Sequence, residues 1–105
     1  VALDKDKVVG TTGLYQLETE GNDVYWLGWF CVDEKYRRSG IGRIIIDFTF
    51  EEERRLGGKV LKLWTTDHPL MEASGKFYKK LGFRVVKREK NPKTGFNTIY
   101  LSHRI

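Results

Sequence analysis

The sequence predicts an α+β fold: a mixed, mostly antiparallel sheet with one parallel strand–helix–strand unit at its centre. Three observations carry that expectation. Residues 24–32 are apolar on both faces, as a strand covered on both sides must be. Residues 41–56 place Ile41, Ile44, Ile45, Phe48 and Leu56 near helical spacing, between that strand and a second apolar run at 60–65. Residues 97–105 alternate Ile99, Leu101, His103 and Ile105 against Thr98, Tyr100, Ser102 and Arg104, the period of a strand.

The elements follow in order. Residues 1–3 read as the tail of a strand, turned by Asp4, Lys5 and Asp6. Residues 7–17 are β-rich, and Gly10 and Gly13 hint at a bulge or sharp twist. Residues 20–23 form a polar hairpin connection. The central strand follows, and Gly28 within it signals a bulge or a close backbone approach. The helix over 41–56 stops at Gly57 and Gly58, with Glu51, Glu52 and Glu53 on its solvated face. After the strand at 60–65, Asp67 can cap a second helix with Pro69 near its first position. Leu70, Ala73, Phe77 and Leu81 share one face of that helix, and Gly82 ends it. Residues 83–88 and 97–105 form the last two strands, joined by a turn through Pro92 and Gly95. A helical crossover of this length joins parallel strands, and the other connections suit antiparallel pairing.

One domain fits the 105 residues, with no repeat and no linker to divide residues 1–105. No apolar run approaches the roughly 20 residues that span a bilayer, and no signal-peptide pattern is present. Cys31, a single cysteine, allows no internal disulfide, which fits a cytoplasmic protein. His68 and His103 belong to no metal-ligand cluster, so no metal is expected. The chain opens on Val1 rather than Met, which leads us to expect upstream sequence. A net charge of +5 and a pI near 9.4 call for an anionic partner: a phosphorylated cofactor, a nucleic acid or an acidic membrane surface.

The turn between central strand and helix is the most informative segment for function. It runs Val32, Asp33, Glu34, Lys35, Tyr36, Arg37, Arg38, Ser39, Gly40, Ile41, Gly42, Arg43. Strand, glycine-rich turn and helix start together present free backbone N–H groups and the positive end of a helix dipole, which suits a phosphate. Gly40 and Gly42 admit positive φ and close anion approach, and the arginines add cationic charge. Alone, the pattern is equally an ordinary strand-to-helix connection.

With Arg37-x-x-Gly40-x-Gly42 after a central strand, and Phe77-Tyr78-Lys79-Lys80-Leu81-Gly82-Phe83 some 40 residues on, the chain resembles the GNAT superfamily of N-acetyltransferases over nearly its whole length. The resemblance implies the acyl-CoA N-acyltransferase (GNAT) fold, short at its N-terminus because the family's first strand and two helices are absent. It implies an acetyl-CoA-dependent N-acetyltransferase that moves an acetyl group to a primary amine by direct attack.

The resemblance also implies roles for particular residues. Arg37, Arg38, Ser39, Gly40, Ile41, Gly42 and Arg43 would hold the pyrophosphate of acetyl-CoA. Cys31 and Val32 would pair their backbones with the pantetheine arm, with a nearby N–H polarising the thioester carbonyl. Tyr78 would be the general acid that protonates the departing thiolate. Met71 stands where many members have Asn, and Thr66 where many carry a Glu base, which leaves Asp67, His68 or water as the base. These departures keep open an alternative, a non-catalytic acyl-CoA-binding module or partner-dependent fragment.

Each residue also has a plainer reading. Tyr78 could be a half-buried aromatic beside Phe77, and Cys31 is read as a small buried hydrophobe rather than a nucleophile. Trp26, Trp29 and Trp64 are read as core, with at least one available to substrate. The basic residues Lys76, Lys79, Lys80, Lys87, Arg88, Lys90 and Lys93 are read as surface, some available to the 3′-phosphate of CoA. Partners are acetyl-CoA and an amine acceptor. A membrane is not expected and nucleic acid is disfavoured, since the basic residues follow no recognition motif. The sheet edge left by the absent strand favours a homodimer.

Overall fold

The computed structural model describes residues 1–37 and 39–105. Among the described residues six strands and two α-helices follow one another as β1 (Ala2–Asp4), β2 (Lys7–Tyr15), β3 (Val24–Val32), α1 (Ile41–Arg55), β4 (Val60–Thr66), α2 (Glu72–Lys80), β5 (Arg84–Lys90) and β6 (Asn97–Arg104). The strand order is β1-β2-β3-β4-β6-β5. The expected fold class holds: β1–β2, β2–β3 and β5–β6 are antiparallel. The carbonyl of Asp23, just before β3, accepts from the N–H groups of Lys59 (2.8 Å) and Val60 (3.1 Å). That sets the start of β4 beside the start of β3, as a parallel pair across α1 requires. The chain forms two compact units, Val1–Leu61 with Ile105, and Lys62–Arg104.

In the first unit, α1 lies on the β1–β3 hairpins, and Val9, Trp26, Leu27, Ile45, Ile46, Phe50 and Leu61 are buried. Helix periodicity chooses that stripe: Ile46, Thr49, Phe50 and Glu53 recur at intervals of three and four. The stripe therefore lies about one position from the expected one. Ile44 and Phe48 are exposed and line an open apolar groove of about 260 Å³ with Ala2, Thr11 and Thr12. The hydroxyls of Thr12 and Thr49 pair at 2.9 Å, and Thr49 Oγ1 also donates to the carbonyl of Ile45 at 2.8 Å. A buried hydroxyl so paired costs little.

Glu53 overturns the reading of its acidic run as a solvated face: it is 0 % exposed. Three consecutive helix positions span about 200°, so one of three glutamates must turn from the face its neighbours share. Neither carboxyl oxygen of Glu53 has a hydrogen-bond partner. The side chain lies across the turn that ends α1, and a Cβ at Gly58 would stand 2.3 Å from Glu53 Cγ. Gly58→Ala is therefore expected to destabilise the chain by about 1–3 kcal/mol, the usual cost of overpacking. Equilibrium urea melts measure it, and an unchanged midpoint would show that Glu53 swings out freely.

β2 ends at Tyr15, so the connection to β3 runs over residues 16–23 rather than a tight 20–23. Trp26 Nε1 donates to Glu20 Oε1 at 2.6 Å, and Gln16 Nε2 to the carbonyl of Asn22 at 2.9 Å, which ties this longer loop down.

In the second unit, Leu63, Tyr78, Phe83 and Leu101 are buried. Tyr78, rather than Leu70 or Ala73, is the buried residue of α2. Leu70 precedes α2 in a 3-10 turn, Pro69–Met71, and is exposed. Asp67 does not cap that turn. His68 does, its Nδ1 accepting from the Leu70 N–H at 3.0 Å. β5 begins at Arg84 and extends to Lys90, with a register shift between Val85 and Lys87.

Candidate active site

Between β3 and α1, Asp33 caps a 3-10 turn, Glu34–Tyr36, by accepting from the Lys35 N–H at 2.9 Å. Its own N–H extends the β2 ladder by donating to the carbonyl of Val9 at 2.7 Å. Tyr36 OH donates to Asp4 Oδ2 at 2.6 Å, which also raises the Tyr36 pKa, and Lys7 lies over its ring. The turn is thus anchored to the β1–β2 hairpin. The sequence pattern shows Tyr36 only as part of the motif, without this tie to Asp4.

Gly40 then takes φ +88°, ψ −2°, left-handed values that a side chain disfavours, and serves as the N-cap of α1. It supplies no capping side chain, and the first turn of α1 holds no acidic residue. The first bond of the helix is Ile44 N–H to the carbonyl of Gly40, 3.1 Å. The N–H groups of Ile41, Gly42 and Arg43 precede it, so none has an acceptor within the helix. This end of a 15-residue helix is suited to an anion.

Its arginines are less free than their spacing suggests. Arg37 Nε donates to the carbonyl of Val32 at 3.2 Å, and Arg43 Nε lies 3.3 Å from Asp47 Oδ1. Ser39 Oγ donates to the carbonyl of Tyr36. Arg38 lies outside the described residues.

β3 reaches the turn through a bulge. Thr11 pairs with Cys31 but Gly13 with Gly28, so Trp29 and Phe30 oppose Thr12 alone. Trp29 takes φ +53° and is 74 % exposed, its ring 6.0 Å from that of Tyr15 and its carbonyl accepting from Thr11 Oγ1. The strand, expected to be covered on both sides, is exposed at Trp29 and Cys31. Cys31, expected to be buried, is exposed, and of the three tryptophans only Trp26 is core. The glycine in β3 signalled this irregularity; the direction in which Trp29 and Cys31 point was not legible.

The second unit holds Tyr78, 9 % exposed, its ring edge-on to Phe83 at 5.9 Å and tilted against Phe77 at 5.7 Å. Burial pushes its phenol up to about 12, so the hydroxyl keeps its proton at neutral pH. The three side chains near the end of β4 are committed. Asp67 accepts from the backbone N–H of Asn97 at 2.7 Å and from its Nδ2 at 2.8 Å, which holds the carboxyl below its ordinary value. His68 uses Nδ1 as a cap, and its ring tilts on Phe96 at 4.6 Å. Thr66 Oγ1 accepts from the His68 N–H at 3.3 Å. His103 packs edge-on against Phe83. Among the described residues no group of His, Cys, Asp and Glu could hold a metal ion, and no helix is long and apolar enough to cross a membrane.

A family model described as an acetyltransferase (GNAT) domain matches residues 1–85. No curated protein matches the sequence. Among solved structures, Ard1 from Thermoplasma volcanium aligns at TM-score 0.83 and 20% identity, over 96% of this chain and 66% of its own. A GNAT family acetyltransferase from Elizabethkingia anophelis with acetyl-CoA bound aligns at 0.84 and 18%, over 98% and 72%. The ribosomal-protein-S18-alanine N-acetyltransferase from Escherichia coli aligns at 0.80 and 21%, over 98% and 65%. At such identities the likeness is one of fold, and the chain spans about two thirds of the length of these structures.

Proposed function

The chain belongs to the GNAT acetyltransferase family, and from that premise we propose that it transfers an acetyl group from acetyl-CoA to a primary amine by direct attack. The observation that carries the reading is the uncapped start of α1 behind a left-handed Gly40, at the position of the family's phosphate-binding motif. Residues 1–105 act as one domain in this reading. The N–H groups at Gly40, Ile41, Gly42 and Arg43 hold the pyrophosphate, with Arg37, Arg38 and Ser39 around them. Cys31 and Val32 pair their backbones with the pantetheine arm past the bulge. A crystallised relative with acetyl-CoA bound supports the same choice of donor.

In the reaction the amine lone pair forms a C–N bond to the acetyl carbon, the C–S bond breaks, and the sulfur leaves as thiolate. Tyr78, at the position of the family's general acid, offers its O–H to that sulfur. A phenol near 12 is a weaker acid than a thiol of about 8.5, so the O–H stabilises the leaving sulfur chiefly by hydrogen bonding. Tyr78→Phe is expected to lower kcat about 10- to 100-fold with acetyl-CoA affinity within about twofold of native. Unchanged turnover would remove the acid role.

The proton of the incoming amine goes to water. Asp67 is held ionised by Asn97, and the acceptor nitrogen of His68 is spent on a cap, so neither is suited as base. kcat/KM is accordingly expected to rise with pH up to the pKa of the acceptor amine itself, about 7.7–8.0 for a peptide N-terminus. Asp67→Asn will leave that profile in place. A limb that disappears in Asp67→Asn or His68→Ala would identify a base instead.

The commitment of Asp67 and His68 to other partners favours a second reading, a non-catalytic acyl-CoA-binding module or a fragment that acts with a partner. Acetyl-CoA binding by calorimetry, without acetylation of any amine in a broad panel, would select it.

A further inference from the structure

The net charge of +5 is unevenly divided. The unit Lys62–Arg104 holds ten Lys and Arg against three Asp and Glu, net +7, while the rest of the chain holds nine against eleven, net −2. The start of α1 belongs to the first unit, and the cationic surplus to the second. Of the cations in this unit, Lys76 pairs with Glu72 and Lys87 with Glu89, and Arg88 faces the Asp67 carboxylate. Lys79, Lys80, Arg84, Lys90, Lys93 and Arg104 are exposed and make no ion pair among the described residues. Three of them, Arg84, Lys90 and Lys93, follow β5 and its turn along one edge of the sheet.

We propose that this cationic edge selects the acceptor, and that the acceptor is an acidic polypeptide. The inference rests on the acetyl-transfer reading above, which requires a nucleophilic amine. Charge favours an anion: a polycationic amine would meet net +7 in this unit. The 3′-phosphate of CoA accounts for only about two of those charges. Extent favours a polymer: β5 alone, seven residues at roughly 3.3 Å each, runs about 23 Å, far longer than a single amino acid. Chemistry favours polypeptide over nucleic acid, since a peptide carries free aliphatic amines whereas nucleobase amines are conjugated and poorly nucleophilic. Lys and Arg on an edge strand also discourage aggregation, but that role needs no surplus in α2 and the turn as well.

The test uses the full chain with acetyl-CoA and peptides of one length, bearing a free N-terminus followed by three acidic, three neutral or three basic residues. An aminoglycoside serves as a polycationic acceptor. The acidic peptide is expected to show kcat/KM about tenfold or more above the basic one, with the gap narrowing as salt rises. In Arg84→Glu/Lys90→Glu/Lys93→Glu the preference is expected to vanish or invert, with acetyl-CoA affinity within about twofold of native. Arg84→Gln/Lys90→Gln/Lys93→Gln, a milder change, should reduce it partway. Equal or better use of the basic peptide or aminoglycoside, or a preference that survives charge reversal, would overturn the proposal. So would loss of acetyl-CoA affinity in step with the preference, which would give these cations to the cofactor. Anisotropy of a fluorescent acidic peptide separates this inference from the activity it rests on. Salt-sensitive binding without acetyl-CoA binding would refute acetyl transfer but keep the surface, whereas tighter binding of an RNA oligomer would refute the peptide.

Discussion

Replacing Glu53 by methionine is expected to abolish a loss of stability that the native chain suffers as pH rises from about 4.5 to about 8. Glu53 is fully buried with neither oxygen partnered, and burial pushes its carboxyl up to about 8 from 4.5. The neighbouring Arg54 offsets only part of that cost. Below 4.5 the carboxyl is protonated in both folded and unfolded chains, and its burial costs least. Between the two values the unfolded chain releases the proton while the folded chain keeps it, so stability falls with pH. Above about 8 both forms are ionised and the loss is complete. Its size is of order 2–5 kcal/mol, a large share of the roughly 5–15 kcal/mol that holds a domain together. Urea melts of native chain and Glu53→Met at pH 5, 7 and 9 measure it directly. The two should converge at pH 5 and separate at pH 9, with the variant more stable. Parallel behaviour at all three would mean that the carboxyl is hydrated in solution.

Gly40→Glu is expected to lower acetyl-CoA affinity by at least about 100-fold, some 2.7 kcal/mol. The position has φ +88° and open space where a Cβ would stand, so a side chain meets conformational strain but no clash. A carboxylate there can also satisfy the free N–H groups of the first helical turn and repel phosphate. Gly40→Ala separates the two effects: it carries the strain, about 1–2 kcal/mol against folding, without the charge. Affinity in the alanine variant should lie well above that in the glutamate variant, and equal losses would mean that backbone shape alone matters. Calorimetry on both, alongside melts, gives the comparison.

Much of this architecture was legible in the sequence because hydrophobic pattern and punctuation agree. Residues 24–32 form the expected strand, α1 starts where expected and ends one residue early, and β4 and β6 follow their apolar runs. Departures occur where one residue changes a phase. Residues 24–32 are not covered on both sides as their two apolar faces implied: Trp29 and Cys31 stand exposed beside the bulge. The run of three glutamates hid the three- and four-residue intervals that carry Glu53 inward with Thr49 and Phe50. Asp67 read as a cap because its side chain suits one, yet a longer-range partner, Asn97, took it and left the cap to His68. The glycine turn was legible as a pattern, whereas the engagement of Arg37 with the Val32 carbonyl and of Arg43 with Asp47 depends on three-dimensional neighbours.

The central claim, that the β3–α1 turn and β3 receive acetyl-CoA, is tested most directly by isothermal titration of the chain with acetyl-CoA, with desulfo-CoA and ATP as controls. Micromolar binding of both CoA compounds, with little heat from ATP, is the predicted result. No binding of acetyl-CoA, or equal binding of ATP, would contradict it, leaving the glycine turn as scaffold or as an unselective phosphate site.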